Sequence, residues 1–515
     1  MIPTPFSSAP LAERRAGLLL HPSSLPGPHG TGDLGPWARR FLDWAAGAGA
    51  TLWQVLPLCP PGGPYADCPY ASWSALAGNP ALLSLEDLQA DGLLEAGDLA
   101  GAFPEGTLDV GDGRAWKAAR LARAADRLLA DPRHPLAPAL ARFRAGAAWA
   151  EDTALFAALK AHHGGAPWWR WERPLRDRAP AALREAHREL AAEVDREVAL
   201  QFLFERQWAA LRAHARARGI RVLGDVPIYV LHDSADVWAA PAGFRLAEDG
   251  TLLAVSGCPP DEFTADGQLW GGPIYDWERM AADDFGWWRA RLARALEHAD
   301  VVRIDHFRAL AAHWEIPAGA RTAREGRWVG GPGLRLFQAL ARHLGPLPLC
   351  VEDLGAIDDE VIALREATGF PGMRILHYAF GGGPDNPHLP HNHPENAIAY
   401  PANHDNDTTT GWWSTLAPHT RAHAQLYLGR HGDDIAWDLV RAALASPART
   451  AVVQVQDLLA LGSEARMNEP ASYARPMETW RNWRWRLRPE QLDGFAARRF
   501  RQLAALYGRL PPGQG

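Results

Sequence analysis

The chain has 515 residues, of which 47% are hydrophobic and 22% charged, with a formal net charge of −7 and a pI near 6.3. That length suits one large barrel with insertions or two to four smaller domains. The acidic balance excludes nucleic acid and anionic membranes as main partners, because both demand a basic surface.

Four cysteines, none in a CxxC pair, point to a reduced, cytoplasmic setting and away from a zinc site. The opening MIPTPFSSAPLAERRAG has no basic stretch leading into an apolar one, so no secretory signal is expected. No apolar run is long enough to span a bilayer. Tryptophan is over-used, 23 against 16 Phe and 9 Tyr, which suggests flat platforms for a ligand with apolar faces such as a sugar ring.

In chain order, residues 17–22 (GLLLHP) read as a short apolar strand ending in a polar turn. A helix is expected from Pro36 to Ala46, where Trp37, Phe41 and Trp44 recur at helical spacing. Residues 50–58 (ATLWQVLPL) are a second apolar strand, which completes a strand–helix–strand unit of the parallel-sheet kind. A loop-rich insertion follows over 60–111. Residues 112–219 turn Ala-, Arg- and Leu-rich, and 112–180 read as a helical insertion broken by GGAPWWRWERP. A last helix is expected over 181–218, with Leu190, Val194 and Val198 on one face and a stop at Gly219.

Strand character returns at IRVLGDVPIYV, and a Pro-, Gly- and Asp-rich loop insertion is expected over 239–277. Strands are then expected at 299–305, 347–355, 373–380, 396–405 and 450–459, mostly separated by helical stretches. This alternation, with no GxGxxG after the first strand, favours an α/β fold of the (β/α)8 TIM-barrel type over a doubly wound sheet. The whole chain, 1–515, is expected to form that single barrel with its insertions.

Asp225, Asp305, Glu352 and Asp405 each end an apolar, strand-like run. In a parallel barrel all such ends open on one face, so four acids distant in sequence would converge there. One such acid alone is accounted for by helix capping. Four, with Arg303, His306 and His404 close by in sequence, favour a shared site. Carboxylates of unlike pKa are what glycoside chemistry requires, one to attack the anomeric carbon and one to protonate the leaving oxygen. The bland reading of Arg303 is a strand-end ion pair, and that of WWRW at 168–171 is packing.

The blocks RRAGLLLHPSSLPGPHGTGDLG, PYASWSALAGNP, GDVPIYVLHDSADVW, PPDEFTADGQLWG, VVRIDHFR, VEDLG, FPGMRIL, HDNDTTTGWW, QDLLALGSEARMN and NWRWRL occur in this order. In these the chain resembles the 4-α-glucanotransferases of the amylomaltase type, relatives of the α-amylase clan, over nearly its whole length. The resemblance implies a nucleophile at Asp305, a general acid/base at Glu352 and a third carboxylate at Asp405 that grips sugar hydroxyls. It implies that Arg303 keeps Asp305 ionised, that His404 binds the sugar in the −1 subsite, and that Tyr70 stacks there. Asp225 is similar to the clan's strand-3 aspartate, and Asp261, Gln268 and Trp270 fall in the family's loop over the acceptor side.

The chain departs from the family pattern at Glu262 (commonly Tyr), Cys68 (Ser), Gly272 (Asn) and Pro401-Ala402-Asn403 (Thr-Gly-Thr). These positions bear on acceptor preference and loop contacts. The expected activity is retaining transfer of α-1,4-glucan segments from maltooligosaccharides, amylose or other α-1,4-glucans to the 4-OH of another glucan or of glucose. No metal or organic cofactor is expected. The alternatives are an α-amylase-like hydrolase and a non-catalytic glucan-binding protein.

Overall fold

A computed structural model describes Phe6, residues 11–63, 67–101, 103–107, 112–260, 265–470, Ser472 and residues 479–511. Eight parallel strands form the centre: β1 (Arg15–Leu19), β2 (Leu52–Gln54), β3 (Arg221–Val226), β4 (Val301–Ile304), β5 (Leu349–Val351), β6 (Gly372–Ile375), β7 (Ala397–Tyr400) and β8 (Thr450–Gln454). Each lies beside its neighbour in sequence, and β8 pairs with β1, so the sheet curls into a TIM barrel. The period-two alternation of a strand sorts the side chains. Leu19, Leu52, Leu223, Val301, Cys350, Met373, Ile398 and Val452 share the apolar cluster of the barrel interior. Leu18, Trp53, Val222, Val302, Val351 and Val453 belong instead to the cluster shared with the surrounding helices.

The seam between β5 and β6 is closed in an unusual way. Val351 N–H donates to Pro371 O at 3.0 Å, and Met373 N–H donates to the Asp353 carboxylate at 2.6 Å. A side chain thus takes a ladder acceptor's place. Asp353 is buried and also accepts from Arg365 (2.5 Å) and Arg374 (3.1 Å). A Cβ on Gly372 would stand 2.3 Å from Asp353 Oδ2, so the close approach requires glycine at this position.

The helix expected from Pro36 spans Pro36–Gly47, with proline at its first turn and Ala38, Phe41, Leu42 and Ala45 buried. The single helix expected over 181–218 is instead two, Pro180–Glu189 and Ala191–Ala217, meeting at Leu190 (φ −106°, ψ 25°). The apolar spacing runs through the break, so periodicity does not register it. Between β2 and β3 lie further helices, Asp112–Ala130, Ala137–Gly146 and Ala148–His162. Among the described residues no α-helix separates β6 from β7; short 3₁₀ turns at Leu376–Tyr378 and Pro390–Asn392 take its place.

The stretch 239–277, expected to be loop, contains the strands Ala254–Cys258 and Gln268–Pro273. They join Ala312–Pro317 and Arg327–Gly330 in a four-stranded antiparallel sheet. Half of this sheet comes from residues after Asp305, and such long-range pairing leaves no local signal in a Gly- and Pro-rich stretch.

Candidate active site

Each acid singled out in the sequence stands at a strand's C-terminal end. Asp225 lies inside β3, Asp305 and Glu352 directly follow β4 and β5, and Asp405 lies in the loop after β7. The expected strands are longer than those observed, because the apolar runs continue into the βα loops. Parallel strands place all these ends on one face. Arg303 is in register with Asp225 on one side and Cys350 on the other. It donates to both oxygens of Asp225 (2.8 and 2.7 Å) and to Asp305 Oδ1 (2.9 Å). Its Nε faces Met373 Sδ at 3.4 Å. An arginine on a barrel strand is therefore tied to two carboxylates, which suits a charge that is 1% exposed. Burial works against that charge, but Asp225 and Asp305 override it and hold Arg303 above its ordinary range.

Glu352 is held in the opposite state. Burial, then the negative charge of Asp305, push its carboxyl up to about 8, against the opposing pull of Arg303 and a hydrogen bond from His306 N–H (2.6 Å). At neutral pH Glu352 therefore keeps its proton while Asp305 faces a guanidinium. His306 adopts φ +44°, a left-handed conformation uncommon for a non-glycine residue. Asp405 accepts from Asn468 Nδ2 at 2.7 Å, with His404 Nε2 at 3.4 Å from its other oxygen.

The expected substrate-binding residues divide. Tyr70 is half-buried; its hydroxyl donates to Asp225 Oδ2 (2.5 Å), and its ring stacks on His404 (5.2 Å, 9°). Trp483, from the NWRWRL segment, borders both rings at 5.9 and 6.1 Å. Gln268 and Trp270 lie on a strand of the small sheet, where Trp270 Nε1 donates to Gln268 Oε1 (3.0 Å). The Trp270 ring meets the His306 ring at 4.9 Å, nearly perpendicular, which brings that sheet to the residue beside Asp305. Asp261 and Glu262 lie outside the described residues.

Sequence reasoning missed several groups here. Asn468 was inside the quoted block QDLLALGSEARMN, but nothing in its spacing marked it. Tyr378, 41% exposed, accepts from Asn406 Nδ2 (2.8 Å), and the charges of Asp405 and Glu352 both act on its hydroxyl. Its signal was an aromatic residue just after a strand. The WWRW segment packs: Trp168 and Trp171 are buried, and their indole N–H groups donate to His232 O and Ala166 O.

Among the described residues, one His/Asp/Glu group has metal-ligand spacing: His29, Asp33 and Glu86. The Lys117 ammonium sits 3.8 Å from Asp33 and supplies positive charge to the group.

A parallel (β/α)8 barrel with three carboxylates gathered at the ends of β4, β5 and β7, one of them holding its proton, has the equipment of a barrel enzyme that acts on glycosidic bonds. The profile of the 4-alpha-glucanotransferase family matches residues 20–492. A 4-alpha-glucanotransferase from Thermus thermophilus is 48% identical over 506 residues, covering 96% of this chain and 99% of its own length. The chloroplastic/amyloplastic 4-alpha-glucanotransferase of Solanum tuberosum is 43% identical over 511 residues, covering 97% and 87%. The structure of an amylomaltase from Streptococcus agalactiae in complex with acarbose superimposes with a TM-score of 0.92 at 34% identity, covering 97% of this chain and all of that one. The chain belongs to the 4-α-glucanotransferase family.

Proposed function

We propose that this chain is a retaining 4-α-glucanotransferase that moves α-1,4-glucan segments between maltooligosaccharides, amylose or related glucans, with glucose as one acceptor. The observation that carries the reading is the split between neighbouring strand ends. Asp305 lies 2.9 Å from the Arg303 guanidinium, while Glu352 is kept protonated next to it.

In the first step an oxygen of Asp305 attacks the anomeric carbon and the bond to the leaving oxygen breaks. Glu352 gives its proton to that oxygen. In the second step the 4-OH of an acceptor attacks the same carbon, its proton passes to Glu352, and Asp305 is released. Asp405, with His404 and Tyr70, would hold the sugar between these steps, and Gln268, Trp270 and Asp261 would border the acceptor. Asp225 serves the site by anchoring Arg303 and Tyr70. Two carboxylates supply both nucleophile and proton, so the two steps balance with this chain's own residues.

A reduced, cytoplasmic setting is part of this reading, and a content of only four cysteines in 515 residues supports it. No helix among the described residues is long and apolar enough to cross a membrane. The insertions at 60–111, 112–180 and 239–277 would belong to the one catalytic unit.

Trapping tests the chemistry. A Glu352→Gln variant given α-glucosyl fluoride, whose leaving group needs no proton, should gain one glucosyl residue on the peptide that carries Asp305. Label on another peptide, or none in a folded variant, would overturn the assignment.

A further inference from the structure

His404 is held in its plane by Tyr70 and Trp483, but stacking does not decide which ring nitrogen carries the proton. Its Nε2 faces Asp405. Its Nδ1 is buried and has no hydrogen-bond partner among the described residues, and the residue is 2% exposed. A second histidine shares this condition. His21, just beyond β1, is 6% exposed, and its Nδ1 is likewise buried without a partner.

Both residues line one small cavity together with Gln454, Gln456 and Met467. Two buried, unpartnered polar atoms on one cavity are costly unless something connects them. The cavity measures about 10 Å³, the size of a single water. Gln454 and Gln456 already donate their amide N–H groups to Asp457 Oδ2 (3.1 Å) and Ala465 O (3.2 Å), which leaves their carbonyl oxygens as acceptors.

We infer that His21 is a positioning residue, acting on His404 through one buried water in this cavity. His21 Nδ1–H donates to the water, and the water donates to His404 Nδ1 and to a glutamine carbonyl. His404 must then carry its proton on Nε2, the atom that faces Asp405 and the proposed −1 sugar. Both rings suit this role as neutral imidazoles. Burial depresses each: His21 to about 3, with His404 lowering it further, while His404 stays below its ordinary range through burial, helped by Arg303, against the opposing pull of Asp405 and Asp305. The inference rests on the glucanotransferase reading only for the identity of the sugar; the water and the proton position stand without it.

The test is made on the full chain without substrate. A crystal structure that resolves ordered waters should show one water within hydrogen-bonding distance of both Nδ1 atoms. ¹⁵N-histidine spectra, with His404 assigned by loss of its signal in His404→Gln, should show the Nε2–H tautomer. His21→Leu should mix the tautomers and lower kcat for maltotriose by about tenfold or more with a smaller change in KM, and His21→Asn, which keeps a donor near the Nδ1 position, should restore both. A dry cavity, an Nδ1–H tautomer in the unmodified protein, or an unchanged tautomer in folded His21→Leu would overturn the inference. If His21→Leu does not fold, the water and the tautomer of the unmodified protein decide it alone.

Discussion

The backbone N–H of His306 donates to the carboxyl of Glu352 at 2.6 Å, so the residue next to Asp305 holds the side chain that ends the neighbouring strand. His306 reaches this position with φ +44°, at a cost of order 1 kcal/mol. Two further bonds tie the same strand ends together: Glu352 N–H to Ile304 O and Phe307 N–H to Glu352 O, both 3.0 Å. The spacing of Asp305 and Glu352 is thus set by backbone. A retaining site calls for about 5–5.5 Å between the two carboxyl groups, against about 6.5–9.5 Å for inversion.

Removing any of the three acids should abolish its step. Asp305→Asn, Glu352→Gln and Asp405→Asn are each expected to lower transfer by about a thousandfold or more while the fold is kept, since the proposed covalent mechanism uses each of them. Rates on maltotriose beside circular dichroism check this. Near-native turnover in any one variant would remove that residue from its role.

The Arg303 charge is expected to be structural as well as electrostatic. Arg303→Met leaves Asp225 and Asp305 without their partner, and breaking a buried pair on one side costs about 3–5 kcal/mol. Denaturant unfolding measures the loss. Adding Asp225→Asn to Arg303→Met should recover part of it, whereas independent additive losses would show that the two residues are not coupled.

As the proposed acid, Glu352 is expected to set the alkaline limb of activity. With its carboxyl at about 8, kcat/KM should fall as pH rises through that value, because the proton given to the leaving oxygen is lost. The stability effect follows from the same shift. The folded state binds this proton more tightly than the unfolded chain, so stability is lost as pH rises from about 4.5 towards 8. Glu352→Gln should therefore raise Tm relative to the parent at pH 8 and much less near pH 4. A gain of equal size at both pH values would contradict the raised carboxyl.

Gly372 guards the barrel seam. Gly372→Ala would press a methyl against Asp353 Oδ2, displacing the carboxylate that accepts from Met373, Arg365 and Arg374. Overpacking of this kind costs about 1–3 kcal/mol, readable as a shift in the denaturant midpoint. An unchanged midpoint would show that the seam can open without penalty.

The sequence revealed the barrel and its acids because both rest on local signals: apolar runs at strand length, each ending in a carboxylate. Arg303 and Asp305, two residues apart, announced a strand face turned toward a polar site. The small antiparallel sheet was hidden, since Gln268 and Trp270 are placed by strands that pair with residues beyond Asp305. Tryptophan abundance was a weak guide to sugar binding: Trp53, Trp168, Trp208, Trp238 and Trp288 are all fully buried in the packing between barrel and helices. The bond from His306 to Glu352 and the seam role of Asp353 depend on backbone positions that no side-chain pattern encodes.

Transfer and hydrolysis share the covalent intermediate, so the acceptor decides between them. Water is abundant, and a sugar prevails only if it is bound and oriented, where effective molarities reach about 10⁵ M or more. In the proposed reading Trp270, its ring perpendicular to that of His306, provides such a surface. The most direct measurement is maltotriose incubated with the purified chain, with products resolved and reducing ends counted from the first minutes. Glucose and longer maltooligosaccharides should appear with almost no net rise in reducing ends, and Trp270→Ala should raise the hydrolytic share. Reducing ends that climb in step with glucose from the start would contradict the account and make the protein a hydrolase.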